Sequence, residues 1–561
     1  MKNFKFLFLL SVLFMGCKST QETIAVKDNE QKDSITQIHA QPKLVVGIVV
    51  DQMRYDYITR FWNRFGENGI KRLVNDGYNC KNNHFNYVPT YTGPGHASVY
   101  TGTTPKNHGI IGNNWYDKFE DLGVYCAGDS NVDPVGTNSS AGKMSPHRML
   151  TTTFADQNRL HTQFKGKTIG ISVKDRGAIL PAGHTANAAY WFHGKEEGKF
   201  ISSSYYLEDL PSWVKDFNSK KYADSYLTTW ETLYPIETYM ESGADQNNFE
   251  HGFKGKETAT FPYNLAELSI ENGNYDIIKS TPFGNSITTD FALAALIGEN
   301  LGKDEITDVL TVSFSCTDYV GHNFGVNSKE VEDTYLRLDQ DIARILEALD
   351  TQVGKGEYTV FLTSDHGAVN VPAYLKSHRV PAGYFDNSAF KNAIDNFIGE
   401  EYGVTDLIAD NSNNQFFFNH ERLKEENISA EDLANNLKSF MLTYEHVDKV
   451  FTRETLENSS FSNGVEALVQ NGFSQKRSGD MVVVFDPAYI AYPEKGSTHG
   501  SAMSYDTHAP LIFFGNGIKN GQTTERTEII DIAPTISALL GISFPNGMTG
   551  KVLHKIIDQE N

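Results

Sequence analysis

Hard and borderline divalent metals take carboxylate oxygen and imidazole nitrogen, and a catalytic zinc ion commonly uses three or four such ligands. The chain offers these donors in separate places. Asp318-Tyr319-Val320-Gly321-His322 holds Asp and His four residues apart, and Ser364-Asp365-His366-Gly367 holds an adjacent pair before a glycine that permits a sharp turn. Alone, each motif reads as well as a surface pair or a cap. Joined to Asp51, which follows an apolar run, and to the His-bearing loop Ser497-Thr498-His499-Gly500, they form a candidate metal centre.

A nucleophile candidate lies in Pro89-Thr90-Tyr91-Thr92-Gly93-Pro94-Gly95-His96. Thr92 is expected at a helix N-cap, with Pro94 near the first turn and Ala97 to Tyr100 continuing inward. Free amides and the helix dipole favour anions there, so a hydroxyl at that point shares space with a phosphate, and a metal would turn it into an alkoxide. The plainer reading is that Thr92 only caps the helix.

The elements that must position these residues are short apolar, β-branched runs ending in a polar residue. Leu44 to Val50 precedes Asp51, Val309 to Phe314 precedes Asp318, Tyr358 to Thr363 precedes Asp365, Thr168 to Val173 precedes Lys174, and Leu511 to Phe514 precedes Gly515. Such runs suit strands buried on both faces. Between them, Ser328 to Leu349 spaces Val331, Tyr335, Leu338, Ile342, Ile345 and Leu349 by three and four, one apolar stripe on a helix. Further helices are expected over Thr289 to Leu301 and after Ser429. The alternation predicts an α/β fold with a largely parallel sheet, whose ligands bind at the carboxyl ends of the strands. Residues 177–287 and 370–480 lack the pattern and are expected as insertions that cap the site.

The set Asp51, Thr92, Asp318-x-x-x-His322, Asp365-His366-Gly367 and Thr498-His499-Gly500 resembles the alkaline phosphatase superfamily, as does Asp531-Ile532-Ala533-Pro534-Thr535-Ile536 with Leu539-Leu540-Gly541-Ile542. Within it the chain looks most like the PafA-type periplasmic enzymes, which have a Thr nucleophile. The resemblance implies an alkaline-phosphatase-like catalytic domain over 43–555, a largely parallel central sheet flanked by helices. It implies two Zn2+ per chain, one held by Asp51, Thr92, Asp365 and His366 and the other by Asp318, His322 and His499. It further implies that Thr92 attacks phosphorus and forms a phosphothreonine, while Asn113, Lys174 and Arg176 bind the phosphoryl oxygens. Phosphate monoesters are then the substrates. A phosphodiesterase or nucleotide pyrophosphatase shares the metal set and is the runner-up. A sulfatase is disfavoured because Thr92-Gly93-Pro94-Gly95-His96 stands where that branch has a C/S-x-P-x-R motif. A remote alternative is a non-catalytic metal- or glycan-binding surface lipoprotein, which has no need of Thr92 among the ligands. His84, His96, His108 and His508 lie near these motifs and are assigned to structure or to bonds behind the ligands.

Acidic residues outnumber basic ones 70 to 49, and the net charge of -21 repels a nucleic acid backbone, so no nucleic acid partner is expected. Lys2 and Lys5 precede the apolar run Phe6 to Met15, too short to span a bilayer and suited to a signal peptide over 1–17. Gly16-Cys17, with Leu13 at minus four, resembles a lipoprotein cleavage site, and residues 18–42 read as a flexible linker. An exported bacterial protein is expected, periplasmic or envelope-anchored, touching membrane only through a lipid on Cys17. In that oxidising compartment Cys80 and Cys126 are the expected disulfide, leaving Cys316 packed as a small hydrophobe in an apolar strand.

Overall fold

The computed structural model describes residues 41–558. The signal peptide, Cys17 and the linker up to residue 40 lie outside the described residues. A ten-stranded sheet organises the chain, in the order Gly521–Thr523, Tyr78–Cys80, Leu511–Gly515, Tyr358–Thr363, Leu44–Val50, Asp308–Phe314, Thr168–Ser172, Ala188–His193, Lys199–Ser203, Pro134–Val135. Its five middle strands, from Tyr358–Thr363 to Ala188–His193, are parallel. Leu511–Gly515 and Lys199–Ser203 flank them antiparallel.

Every residue of Leu44–Val50, Asp308–Phe314 and Tyr358–Thr363 is buried, as expected of strands covered on both faces. Alternate side chains serve opposite layers. Leu44, Val46, Ile48 and Val50 pack with Phe291, Leu338 and Ile342, which belong to the helices Phe283–Gly298 and Lys329–Leu349. Val45 and Val49 pack with Val99, Tyr100, Ile532 and Ile536, which belong to the helices Thr92–Thr101 and Ile532–Leu539. The apolar stripe of Lys329–Leu349 is buried as its spacing predicts, and the Ser328 side chain caps it by accepting from the Val331 amide.

Three expectations are corrected. The first insertion does not begin at 177, because Ala188–His193 and Lys199–Ser203 are strands of the central sheet. Their Tyr190, Trp191 and Phe192 gave an aromatic composition that hid a strand buried along its whole length. Cys80, Cys126 and Cys316 are all buried and free, and Cys80 and Cys126 sit in different apolar clusters, so no disulfide joins them. Thr92 is the first helical residue rather than the cap, which is Tyr91, in extended backbone.

The second region, 370–480, contains a small body of its own. The antiparallel sheet Ile408–Ser412, Gln415–Phe418, Met481–Phe485, Val447–Thr452 packs with the helices Asn387–Tyr402 and Ala430–Met441. It extends past 480 because Met481–Phe485 is its third strand. No helix among the described residues is long and apolar enough to cross a membrane.

Candidate functional site

Each motif leaves the sheet at a strand's carboxyl end. Asp51 follows Leu44–Val50 directly, Lys174 follows Thr168–Ser172 by two residues, and Asp365 follows Tyr358–Thr363 by two. Asp318 lies in the first turn of the helix Cys316–Phe324, and His322 in its last, so their spacing of four puts both on one face. Parallel strands are in register here, with Val50 opposite Phe314 and Val49 opposite Thr363, and this brings distant parts of the chain to one level.

The side chains converge. His322 Nε2 lies 3.1 Å and His499 Nε2 3.6 Å from Asp318 Oδ1, while His366 Nε2 is 3.4 Å from Asp51 Oδ1 and 3.6 Å from Asp365 Oδ2. His366 and His499 stack at 3.5 Å between ring centroids. Asp51, Asp365 and His366 form one group able to hold a metal ion, and Asp318, His366 and His499 form a second. His366 is common to both, and His322 reaches the second through Asp318.

Nδ1 of each histidine is engaged by a backbone carbonyl: His322 by Ser497 at 2.7 Å, His366 by Gly367 at 2.9 Å and His499 by Thr90 at 2.7 Å. These bonds place the proton on Nδ1 and leave the Nε2 lone pair facing the carboxylates, the usual arrangement behind a metal ligand. Asp51 Oδ1, Asp365 Oδ2 and His366 Nε2 are buried without a hydrogen-bond partner. Buried polar atoms seldom remain so without a ligand to satisfy them, and an oxygen-and-imidazole set of this kind fits zinc.

The local electrostatics agree. Burial, then the charges of Asp318 and Asp365, push the Asp51 carboxyl well above the ordinary range. Burial opposes ionisation of Asp318 too, but His322 and Lys174 hold it well below that range. Burial, with His366 beside it, keeps His499 strongly toward the neutral ring. Three carboxylates face one ammonium, Lys174 Nζ, 2.7 Å from Asp51 Oδ2 and 2.6 Å from Asp318 Oδ2, so the cluster has room for added positive charge.

The Thr92 helix meets the cluster at its first turn. A Cβ on Gly95 would come within 2.3 Å of the Asp365 carbonyl oxygen, so only glycine allows this approach. His96 ties the two together, its Nδ1 lying 2.9 Å from the Thr92 carbonyl and 3.2 Å from Asp365 Oδ2. Asn113 Oδ1 accepts the Gly93 amide at 2.7 Å, whereas Asn114 is exposed and offers its carbonyl to Asn413. Arg176 donates to the Tyr125 hydroxyl at 3.1 Å, and its Nε is buried without a partner. His84, stacked on His508, and His108, bonded to Ser98, stay outside the cluster.

The sequence reading missed Gln52. Its backbone is left-handed, at φ 63°; its amide donates to Asp365 Oδ1 at 3.1 Å and its side chain to Asp318 Oδ1 at 2.6 Å, bracing two carboxylates from distant segments of the chain. Its place directly after Asp51 was the available signal. Tyr492, stacked near His322 at 5.8 Å, had none.

Comparisons with known proteins support this picture. The family model for type I phosphodiesterase / nucleotide pyrophosphatase matches residues 45–509. The chain is 45% identical to a protein of Myroides odoratus named calcium-transporting ATPase, over 92% of this chain and 95% of that one. It is 44% identical to alkaline phosphatase PafA of Elizabethkingia meningoseptica, over 92% and 95%, and 42% identical to alkaline phosphatase PhoV of Synechococcus elongatus, over 98% of each. The crystal structure of wild-type PafA superposes with a TM-score of 0.89 over 92% of this chain and 99% of that one. A PafA variant substituted at a threonine, an asparagine, a lysine and an arginine superposes at 0.88. The chain therefore belongs to the type I phosphodiesterase / nucleotide pyrophosphatase family, within the alkaline phosphatase superfamily, and is a phosphatase of its PafA-like branch.

Proposed function

We propose that the protein hydrolyses phosphate monoesters with two zinc ions, through a phosphothreonine on Thr92, in the periplasm or at the cell envelope after export. Asp51, Thr92, Asp365 and His366 would hold one ion, and Asp318, His322 and His499 the other. Zinc, when bound, supplies Lewis acidity that activates a hydroxyl and stabilises a departing oxygen. The chain's own residues do the rest. With its Oδ1 engaged by the Gly93 amide, Asn113 has its NH2 free to donate to a phosphoryl oxygen beside Thr92. Lys174 and Arg176 bring two cations to the same side, where they meet the charge of a phosphoryl dianion.

The observation that carries the reading is the set of three buried ligand atoms, on Asp51, Asp365 and His366, that lack hydrogen-bond partners beside the first turn of the Thr92 helix. The PafA variant adds support, since its four substituted residue types match Thr92, Asn113, Lys174 and Arg176. The small body in 370–480 serves as a cap in this reading. Asn413 donates to the Asn114 carbonyl at 2.7 Å and Lys118 to the Ser478 carbonyl at 2.9 Å, so it docks beside Asn113.

The test combines elemental analysis with phosphopeptide mapping. Active protein should carry about two zinc ions per chain, and phosphate trapped from a monoester should sit on Thr92, with Thr92→Ala folded but inactive. Phosphate on another residue, or full activity with magnesium alone, overturns the proposal. A wild-type preference for a diester over a monoester of the same phenol would move the diesterase reading of the family to first place.

A further inference from the structure

The loop 239–250 and the first turn of the helix Lys329–Leu349 bury a group of side-chain oxygen atoms without a close hydrogen-bond partner. Glu332 is fully buried, and neither of its carboxylate oxygens has a hydrogen-bond partner. It faces the carboxylate of Glu241 and the hydroxyl of Ser242, and Glu241 Oε2 and Ser242 Oγ are likewise buried without partners. The backbone fixes this arrangement from both sides. The Gly243 amide donates to the Asn327 carbonyl at 2.7 Å, and Lys329 Nζ donates to the Tyr239 carbonyl at 2.7 Å, so residues 241 and 242 are pinned over the helix start.

Burial raises the Glu332 carboxyl to about 7, and the charge of Glu241 beside it adds to that, so ionising Glu332 here is opposed. The nearby cation, Lys329, acts on Glu332 through space but spends its ammonium on the Tyr239 carbonyl. Burying paired like charges unbalanced is costly, whereas a divalent cation cancels them. The donors are all oxygen, from two carboxylates and a hydroxyl, with neither imidazole nor thiolate. That set selects a hard cation over zinc. Calcium accepts six to eight oxygens in flexible geometry and completes its shell with carbonyls and water, while magnesium demands a regular octahedron and keeps its own waters.

We propose that Glu241, Ser242 and Glu332 form a calcium site, separate from the histidine-bearing centre and independent of the phosphatase reading. The site braces the backbone that seats a ligand of that centre. The loop continues to Phe249, whose carbonyl accepts the Gly496 amide at 2.8 Å, and to His251, whose amide donates to the Asn323 carbonyl at 2.9 Å. These bonds flank His322 and the Ser497 carbonyl that orients it.

The experiment is thermal unfolding with calorimetric titration of full-length protein, freed of calcium by a calcium-selective chelator with its zinc content checked. Calcium chloride should bind with one site per chain and, at about 100 times its Kd, raise the Tm of the wild type by roughly 2–3 °C. Magnesium chloride at the same concentration should raise it less. Glu332→Gln should show no calcium response, and without calcium its Tm should equal or exceed that of the wild type, since a buried charge is gone. If that variant does not fold, Glu241→Gln with Ser242→Ala, at the less buried end of the site, carries the comparison. A wild-type Tm indifferent to calcium, or variants that respond as the wild type does, overturns the proposal.

Discussion

His322, His366 and His499 each surrender Nδ1 to a carbonyl and turn Nε2 toward an aspartate, so one geometric rule repeated three times defines the centre. In the proposed function, Lys174 and Arg176 then decide what kind of phosphate it suits. A monoester dianion presents three non-bridging oxygens, while a diester replaces one with an alkoxy group that leaves a cation without its partner. Each charge-assisted contact is worth about 1.5–3 kcal/mol, so the double variant Lys174→Ala, Arg176→Ala should lose roughly 10²- to 10⁴-fold in monoester kcat/KM and much less for a diester. Equal losses on both substrates would show that the pair does not read the dianion. Because Lys174 also bridges Asp51 and Asp318, zinc content must be measured beside the kinetics. These residue types and spacings were legible in the chain. The bracing by Gln52 was not, since a glutamine after a strand has no chemistry of its own until two carboxylates from distant segments surround it.

The helix Cys316–Phe324 shows how an element serves the site. Asp318 and His322 need its pitch, and Gly321 between them needs its own lack of a side chain, because a Cβ there would come within 1.8 Å of Gln52 Oε1. Gly321→Ala should therefore displace Gln52, loosen Asp318 and weaken zinc retention at the second ion, although alanine is the better helix former. Gln52→Ala removes the obstructed group. The combined variant should then retain more zinc than the two single losses predict, a coupling that a double-mutant cycle reads as non-additivity. Strict additivity would place the cost of Gly321→Ala elsewhere. At the other end of the same layer, Ser328→Ala should cost about 1 kcal/mol of stability by removing the cap on Lys329–Leu349, measurable by urea unfolding, with little effect on kcat. Sequence pattern found that helix to within a residue, because its stripe and cap are local. It misjudged Ala188–His193 because a strand buried among aromatic neighbours in a wide sheet has no local mark.

For the whole molecule, stability should depend on pH through buried acids away from the active site. Burial, then the charge of Glu330, pushes the Glu250 carboxyl up to about 10 from 4.5, and burial raises Glu330 to about 8. Above the ordinary carboxylate range the folded chain holds protons that the unfolded chain has released, so stability falls as pH rises from about 4.5 through about 8 toward 10. The Tm should decline between those limits, and Glu330→Gln, which cannot ionise, should flatten the decline; a Tm equally steep in that variant would exclude the pair as its cause. What the sequence determined by itself was the class of fold and the candidate ligands, because hydrophobic period and side-chain chemistry are properties of short segments. Tertiary structure alone decided which atoms meet. It set Thr92 inside the helix rather than at its cap, kept Cys80 and Cys126 apart in separate clusters, put Asn113 rather than Asn114 against the Gly93 amide, and brought Glu241 and Ser242 of a loop against Glu332 of a helix. Each of those outcomes depends on distances across layers of the fold, and these are fixed only when the parallel strands pair in register and the helices pack over them.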